Sequence, residues 1–227
     1  HLLYGHVDNK ETYSVGDWLR QVTPLLNGKH RPIIVGGTGL YFRALTEGLA
    51  DIPKTPAEYK QKSSELIQNG RILDLVADLD EATKSKIDLK NPVRVARAWE
   101  VLQATGKSII SWQADTPSPI LSINKCDAIH MHSRSQWLNE RIKTRFYAML
   151  DNGVLKEITK NSQTWDPKLQ SSQAIGATEL IEYNAGHISI EKATELAVIA
   201  SRQYAKRQRT WFRKRMAKWR TIIAEDI

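Results

Sequence analysis

The chain has 227 residues, 41% hydrophobic and 26% charged, with 33 Lys and Arg against 25 Asp and Glu for a net charge of +8. This composition supports a packed core and excludes disordered, collagen-like and low-complexity chains, while the single cysteine, Cys126, excludes an intramolecular disulfide framework and a cysteine-built zinc site. Apolar runs are as short as Ala197-Val198-Ile199-Ala200, far from the roughly 20 residues of a membrane span, and the opening residues do not read as a secretory leader; no membrane partner and a cytoplasmic location are expected.

Residues 14–27 carry a helical pattern. Ser14 and Asp17 make a capping box, Val15, Trp18, Leu19 and Val22 share one face, and Asn27-Gly28 ends the run. Pro24 has no N–H for the helical ladder, so a kink or a shortened helix is expected. Ile33-Ile34-Val35 is a β-branched run without polar alternation, which suits a buried parallel strand. Gly36-Gly37-Thr38-Gly39 and then the helical stretch 40–45 follow it, the strand–turn–helix order of an α/β layer.

From Asp51 the texture changes. Residues 56–69, 71–79 and 92–106 are helical and rich in Lys, Glu, Gln, Leu and Ala, with Pro92 in a first-turn position and Gly106 at an end. The expected organisation is an α/β core built from 1–50 and 116–227, with a helical insertion over 51–115. Residues 122–132 alternate imperfectly and predict a strand returning to the sheet, and a helix capped by Ser133 or Ser135 follows. A further helix is expected over 153–161 and a long one over 189–218, its acids early and its cations late as the helix dipole favours.

Two segments carry chemistry. Glycines after a strand let the backbone approach a ligand, and N–H groups opening the next helix, with the Thr38 hydroxyl, point at an anion such as a diphosphate. The alternative is a tight turn with no ligand. The second segment is 201–220, where Arg202, Lys206, Arg207, Arg209, Arg213, Lys214, Arg215, Lys218 and Arg220 interleave with Tyr204, Trp211, Phe212 and Trp219, and no acid occurs between Glu195 and Glu225. Cations neutralise phosphates and aromatic planes stack on splayed bases, so this segment points to nucleic acid; the alternative is a solvated amphipathic helix burying its aromatics. Trp211, at helical spacing from Ala200, Tyr204 and Arg207, is expected in the core. Arg94 and Arg97 share a helix face and, with Lys90, make a smaller basic patch. His130 and His132 share a strand face but lack an obvious third ligand, and Asp78, Asp80 and Glu81 read as solvated acids, so no metal site is assigned to protein residues.

Pro32–Leu49, Asn91–Leu102 and Arg202–Arg213, with the opening His1-Leu2-Leu3 and Tyr13–Asp17, resemble in order the motifs of bacterial tRNA dimethylallyltransferases. The resemblance implies a P-loop NTPase-like parallel-sheet core with a helical insertion domain. It implies transfer of a dimethylallyl group from dimethylallyl diphosphate to the exocyclic N6 amine of an adenine next to the tRNA anticodon, with Mg2+ assisting the leaving group. The partners are then the tRNA anticodon stem-loop and dimethylallyl diphosphate, and a monomer is expected. Gly36, Gly37 and Thr38 match the diphosphate turn, and Thr38 the catalytic threonine, expected as a buried hydroxyl bonded to the reacting groups. Lys60 falls where the family has a basic residue near tRNA. Val93, Arg94, Val95, Ala96 and Arg97 match one tRNA-contacting stretch, and Gln173, Ala174, Ile175, Gly176, Ala177 and Thr178 another. Lys206, Arg207, Gln208, Arg209, Thr210, Trp211, Phe212 and Arg213 match the last.

Two departures stand out. Gly176-Ala177-Thr178 replaces the usual Gly-Tyr-Arg/Lys, losing an aromatic and a cation. The family's GxxxxGK[ST] loop and the Asp-Ser motif that supplies its general base do not occur in these 227 residues. The chain is therefore expected to lack the N-terminal P-loop segment and to be inactive alone. A non-catalytic tRNA-binding remnant and a P-loop-like small-molecule kinase are the alternatives.

Overall fold

The computed structural model describes residues 1–226; the last residue of the expected 116–227 core segment lies outside the described residues. In chain order the elements are α1 (Val15–Leu26), α2 (Gly39–Glu47), α3 (Ala57–Gln68), α4 (Ile72–Ala77), α5 (Glu81–Lys86), α6 (Pro92–Thr105) and α7 (Ile109–Ala114). There follow β1 (Ile129–His132), α8 (Ser135–Asp151), α9 (Val154–Ser162), α10 (Ala177–Asn184), α11 (Ile190–Arg215) and β2 (Arg220–Ile223). The chain divides into two compact units, one of His1–Phe42 with Ile123–Ile227 and one of Arg43–Ser122. The second unit is wider at both ends than the expected 51–115 insertion. The Leu121 N–H donates to the Leu45 carbonyl at 3.1 Å, so the residues flanking the insertion fold with it.

The first unit is an α/β arrangement with a small sheet. β1 and β2 pair in parallel, Ile129 opposite Arg220 and His132 opposite Ile223. A parallel pair needs a long crossover, here supplied by α8 to α11. The core lies among those helices: Phe146 of α8, Ile158 of α9, Leu180 of α10 and Ala193, Ala197 and Val198 of α11 are buried together. Small residues on α11 let it approach its neighbours closely.

Several expectations need correction. The expected parallel-sheet core is reduced to two strands, and Ile33-Ile34-Val35 is extended but not a strand. Ile33 is 86% and Val35 75% exposed, because among the described residues no strand lies beside them to pair with. The strand expected over 122–132 is only β1, since its partner is four residues long and leaves nothing upstream to pair; Ile123–Lys125 is a single 3-10 turn instead. The long helix ends at Arg215 rather than 218, where Met216 turns out of helical geometry and is buried. The chain then re-enters the sheet as β2, which a purely basic reading of 213–220 conceals. α1 runs through Pro24 and stops at Leu26, so the proline sits in the last turn.

In the second unit Leu75, Leu79, Val95, Ala98 and Trp99 form the core. Asn91 caps α6 by accepting from the Arg94 N–H, Pro92 opens it, and Gly106 closes it with φ 66°. Polar groups drawn inside are paired: the Ser63 hydroxyl donates to Glu100 at 2.7 Å and the Trp99 indole N–H to Asp78 at 2.8 Å. Asp80 caps α5. Two of the three expected solvated acids thus have structural work. No helix among the described residues is long and apolar enough to cross a membrane.

The capping box of α1 generates a pH prediction. Hydrogen bonds from the Ser14 hydroxyl and N–H, with Arg20 beside it, hold the Asp17 carboxyl at about 2, below its ordinary 3.8. A depressed folded-state pKa contributes stability that is present above pH 4 and lost as the pH falls through about 2. Urea midpoints measured from pH 5 to pH 2 should therefore fall less steeply in Asp17→Asn than in the unaltered chain. At neutral pH, Ser14→Ala should cost about 1 kcal/mol, as N-cap removal does.

Candidate functional site

The glycine turn and the basic helix meet within the first unit. The Gln208 side-chain amide on α11 donates to the Gly37 carbonyl at 2.9 Å. A Cβ on Gly37 would stand 2.3 Å from that amide nitrogen, and one on Gly39 would stand 2.1 Å from the Trp211 indole. Gly39 is thus required by the approach of the Trp211 ring, a reason the anion-binding reading did not contain, while a side chain at 37 would displace only the mobile end of Gln208. Gly36, Gly37 and Thr38 are exposed, and the Thr38 carbonyl accepts from the Tyr41 N–H at 3.1 Å in the first turn of α2. The expected burial of Thr38 is corrected: with Ile33 and Val35 uncovered, the turn opens to solvent and the hydroxyl is accessible.

α11 divides its residues by face. Phe212 is 8% exposed, stacks on His130 with centroids 5.3 Å apart at 13°, and meets Phe42 and Trp219 edge-on. Burial, with His132 nearby, holds the His130 imidazole below its usual pKa, so the stacked ring is neutral at physiological pH. The core aromatic of this segment is therefore Phe212; Trp211 is half-buried against Gly39. Phe212 leaves the candidate RNA face, because its ring is spent inside. On the other side Lys206, Arg207 and Arg213 are exposed, and among the described residues none is paired with a carboxylate. Thr210 is half-buried between the two faces. Arg209 Nη1 donates to the Ser135 hydroxyl at 2.6 Å, tying α11 to the start of α8.

A trough of about 620 Å³ opens beside the turn, bordered by Trp18, Tyr41, Phe42, Arg31 and the 33–38 backbone. No carboxylate lines it. Among the described residues no group of three His, Cys, Asp or Glu could hold a metal ion, so His130 and His132 remain a pair. Among the described residues magnesium, expected with a diphosphate, meets no cluster of three such ligands. What the turn and α11 offer an anion is N–H groups, a hydroxyl and unpaired cations.

The remaining expected residues separate. In the first unit Gln173 binds the Pro167 carbonyl through its amide at 3.1 Å, Ala174, Ile175 and Thr178 are exposed, and Ala177 opens α10. Gly176 is buried at φ 91° with the Phe146 ring 3.0 Å from where a Cβ would be, so it shapes the turn and offers no surface. In the second unit Lys60, Val93 and Arg94 are exposed, Ala96 is half-buried, and Arg97 donates to the Thr55 hydroxyl at 2.6 Å. Val95 is 0% exposed; it anchors α6 in the core and cannot touch a partner. Sequence reasoning missed Ser135 as a partner of Arg209, since nothing in local spacing links positions 74 apart.

The family model described as IPP transferase matches residues 1–215. A tRNA dimethylallyltransferase of Ruegeria sp. (strain TM1040) is 50% identical over 98% of this chain and 76% of its own length, and one of Cereibacter sphaeroides (strain KD131) is 49% identical over 98% and 71%. Among solved structures, the full-length tRNA isopentenylpyrophosphate transferase of Bacillus halodurans aligns with a TM-score of 0.63 at 29% identity, over 98% of this chain and 71% of that one. With a family model spanning nearly all of its length and relatives at half identity, the chain belongs to the IPP transferase family.

Proposed function

We infer that the chain serves tRNA dimethylallyl transfer, the activity for which its relatives are named. One observation carries this reading: Gln208 and Trp211, in the middle of the basic helix, rest directly on the glycine turn. Cations suited to RNA phosphates and N–H groups suited to a diphosphate are thereby held side by side in one unit.

The chemistry sets what the site must do. The N6 amine of the adenine attacks the first carbon of the dimethylallyl group, the bond to the diphosphate oxygen breaks, and the amine gives up a proton. The Gly36–Thr38 backbone receives the diphosphate, and the Thr38 hydroxyl bonds the reacting groups. The extended 33–35 segment running into this turn is read as the strand–turn passage of a P-loop-like layer. Lys206, Arg207 and Arg213 hold the phosphates of the anticodon arm, and the target adenine leaves its stack to reach the turn. Proton removal needs an acceptor within hydrogen-bond reach, and no carboxylate lines the trough beside Thr38. On this reading the turn and its trough supply binding, and the base is not among the described residues that line the trough. A role on tRNA fits a cytoplasmic location.

Two measurements test this. The 227-residue chain should bind an anticodon stem-loop yet transfer radiolabelled dimethylallyl groups only at background; turnover matching a full-length relative would overturn the assignment of the base. In tRNA binding across a salt series, Arg207→Ala should make the log–log slope shallower by about 0.7 to 0.9, the loss of one phosphate contact. Trp211→Ala should leave the slope intact and lower stability by about 2 kcal/mol, less than the roughly 3–5 of a fully buried aromatic. An unchanged slope in Arg207→Ala removes that residue from the RNA face.

A further inference from the structure

α8 and α11 pack antiparallel. Arg209 binds Ser135 at one end, and Phe146 meets Ala197 and Val198 at the other. Along the outer side of this pair runs an open groove of about 550 Å³, with Lys143 and Tyr147 on α8 facing Ile199 and Arg202 on α11, and Glu191 and Glu195 at one end. Two features of the groove lack a partner. Arg202 Nε is buried without a hydrogen-bond acceptor among the described residues, a costly state for a charged donor. Lys143 is exposed and, among the described residues, pairs with no carboxylate.

The groove also has a direction. Arg202, Lys206, Arg209 and Arg213 fall at i, i+4, i+7 and i+11, so they form one stripe along α11. At 1.5 Å per residue the stripe is about 16 Å long, the reach of several consecutive phosphates. Its outer end is Arg202, inside the groove. Tyr147, 49% exposed, adds an aromatic face and a hydroxyl to the same wall. Beyond Arg202 the sign changes: Glu195 is paired with Lys192 at 2.9 Å, and the Glu191 carboxyl is held ionised by its hydrogen bond with Ser189. A polyanion is attracted along the stripe and repelled at the acidic end.

We propose that the α8–α11 groove is a second RNA-binding site, in which Arg202, Lys143 and Tyr147 take the sugar–phosphate backbone of the bound tRNA beyond the part held by 206–213. Half-buried Arg202, lining the groove, and exposed Lys143 neutralise neighbouring phosphates. Glu191 and Glu195 mark where the backbone leaves the protein. The proposal rests on the tRNA reading above.

The test is filter binding of tRNA to the whole chain over a salt series, with thermal unfolding of each variant as a control. Lys143→Ala, at an exposed position, should weaken binding several-fold and make the slope shallower by about 0.7 to 0.9. Arg202→Lys keeps the charge but removes the planar guanidinium fork, so binding should weaken with little change of slope. Glu195→Gln, which removes repulsion at the exit, should leave binding equal or tighter. If Arg207→Ala alters the slope while Lys143→Ala and Arg202→Lys bind as the unaltered chain does, the groove is off the RNA path and the tRNA reading survives. If the unaltered chain binds no tRNA, both fall.

Discussion

The first unit depends on how closely α11 can approach the turn that precedes α2. A side chain at 39 would collide with the Trp211 ring, so hydrogen there is a steric condition for the arrangement, whereas one at 37 would displace only the end of the Gln208 side chain and its bond to the turn. Once it is met, one hydrogen bond and one indole contact fix the basic helix over the exposed backbone of residues 36–38. A turn rich in glycine is usually explained by its ligand. Here the absence of a Cβ at 39 answers to the protein's own packing against Trp211.

α11 has to satisfy opposed demands. Its middle must pack, and it does so with alanines and Val198 in the core and with Phe212 against β1. Its exposed side carries Lys206, Arg207 and Arg213, which among the described residues no neighbouring acid neutralises. The acids of the helix sit in its first turns, where they favour the dipole and stay clear of the cations. The mutual repulsion of unpaired arginines is tolerated because the helix is pinned elsewhere: Arg209 to Ser135, Gln208 to the turn, Phe212 to the sheet.

The helices were legible in the sequence because their signals are local. Ser14 with Asp17, Asn91-Pro92, Gly106 and Ser189 mark ends that the structure places within a residue or two. The strands were legible only in part: the run 122–132 contains β1, and the other two segments misled. Ile33–Val35 has the composition of a buried strand, but a strand exists only with a partner, and composition does not reveal whether one is alongside. β2 was hidden for the opposite reason: Arg220 and Thr221 look like the tail of a basic helix, and only pairing with β1 makes them a strand. At the candidate site, residue types and order showed the turn and the cations as separate features. Their contact, the inward turn of Phe212 in place of Trp211, and the bond from Arg209 to Ser135 arise from tertiary packing, which no periodicity encodes.

The sheet itself explains why the cationic helix carries so much aromatic side chain. A two-stranded pair of four residues each is marginal in water by its ladder alone. Phe212 covers it from α11, with His130 stacked on it and Phe42 and Trp219 at its edges, so the strands gain the apolar cover that a larger sheet would find among its own members. β1 leads within three residues to Ser135 and α8, and β2 follows directly from the end of α11. The strand pair therefore fixes the spacing of the two helices at the point where Arg209 reaches Ser135. Any disturbance of the Phe212 cluster moves α11 relative to α8 and to the glycine turn together. Stability and the placement of the cationic face are consequently linked through one buried ring.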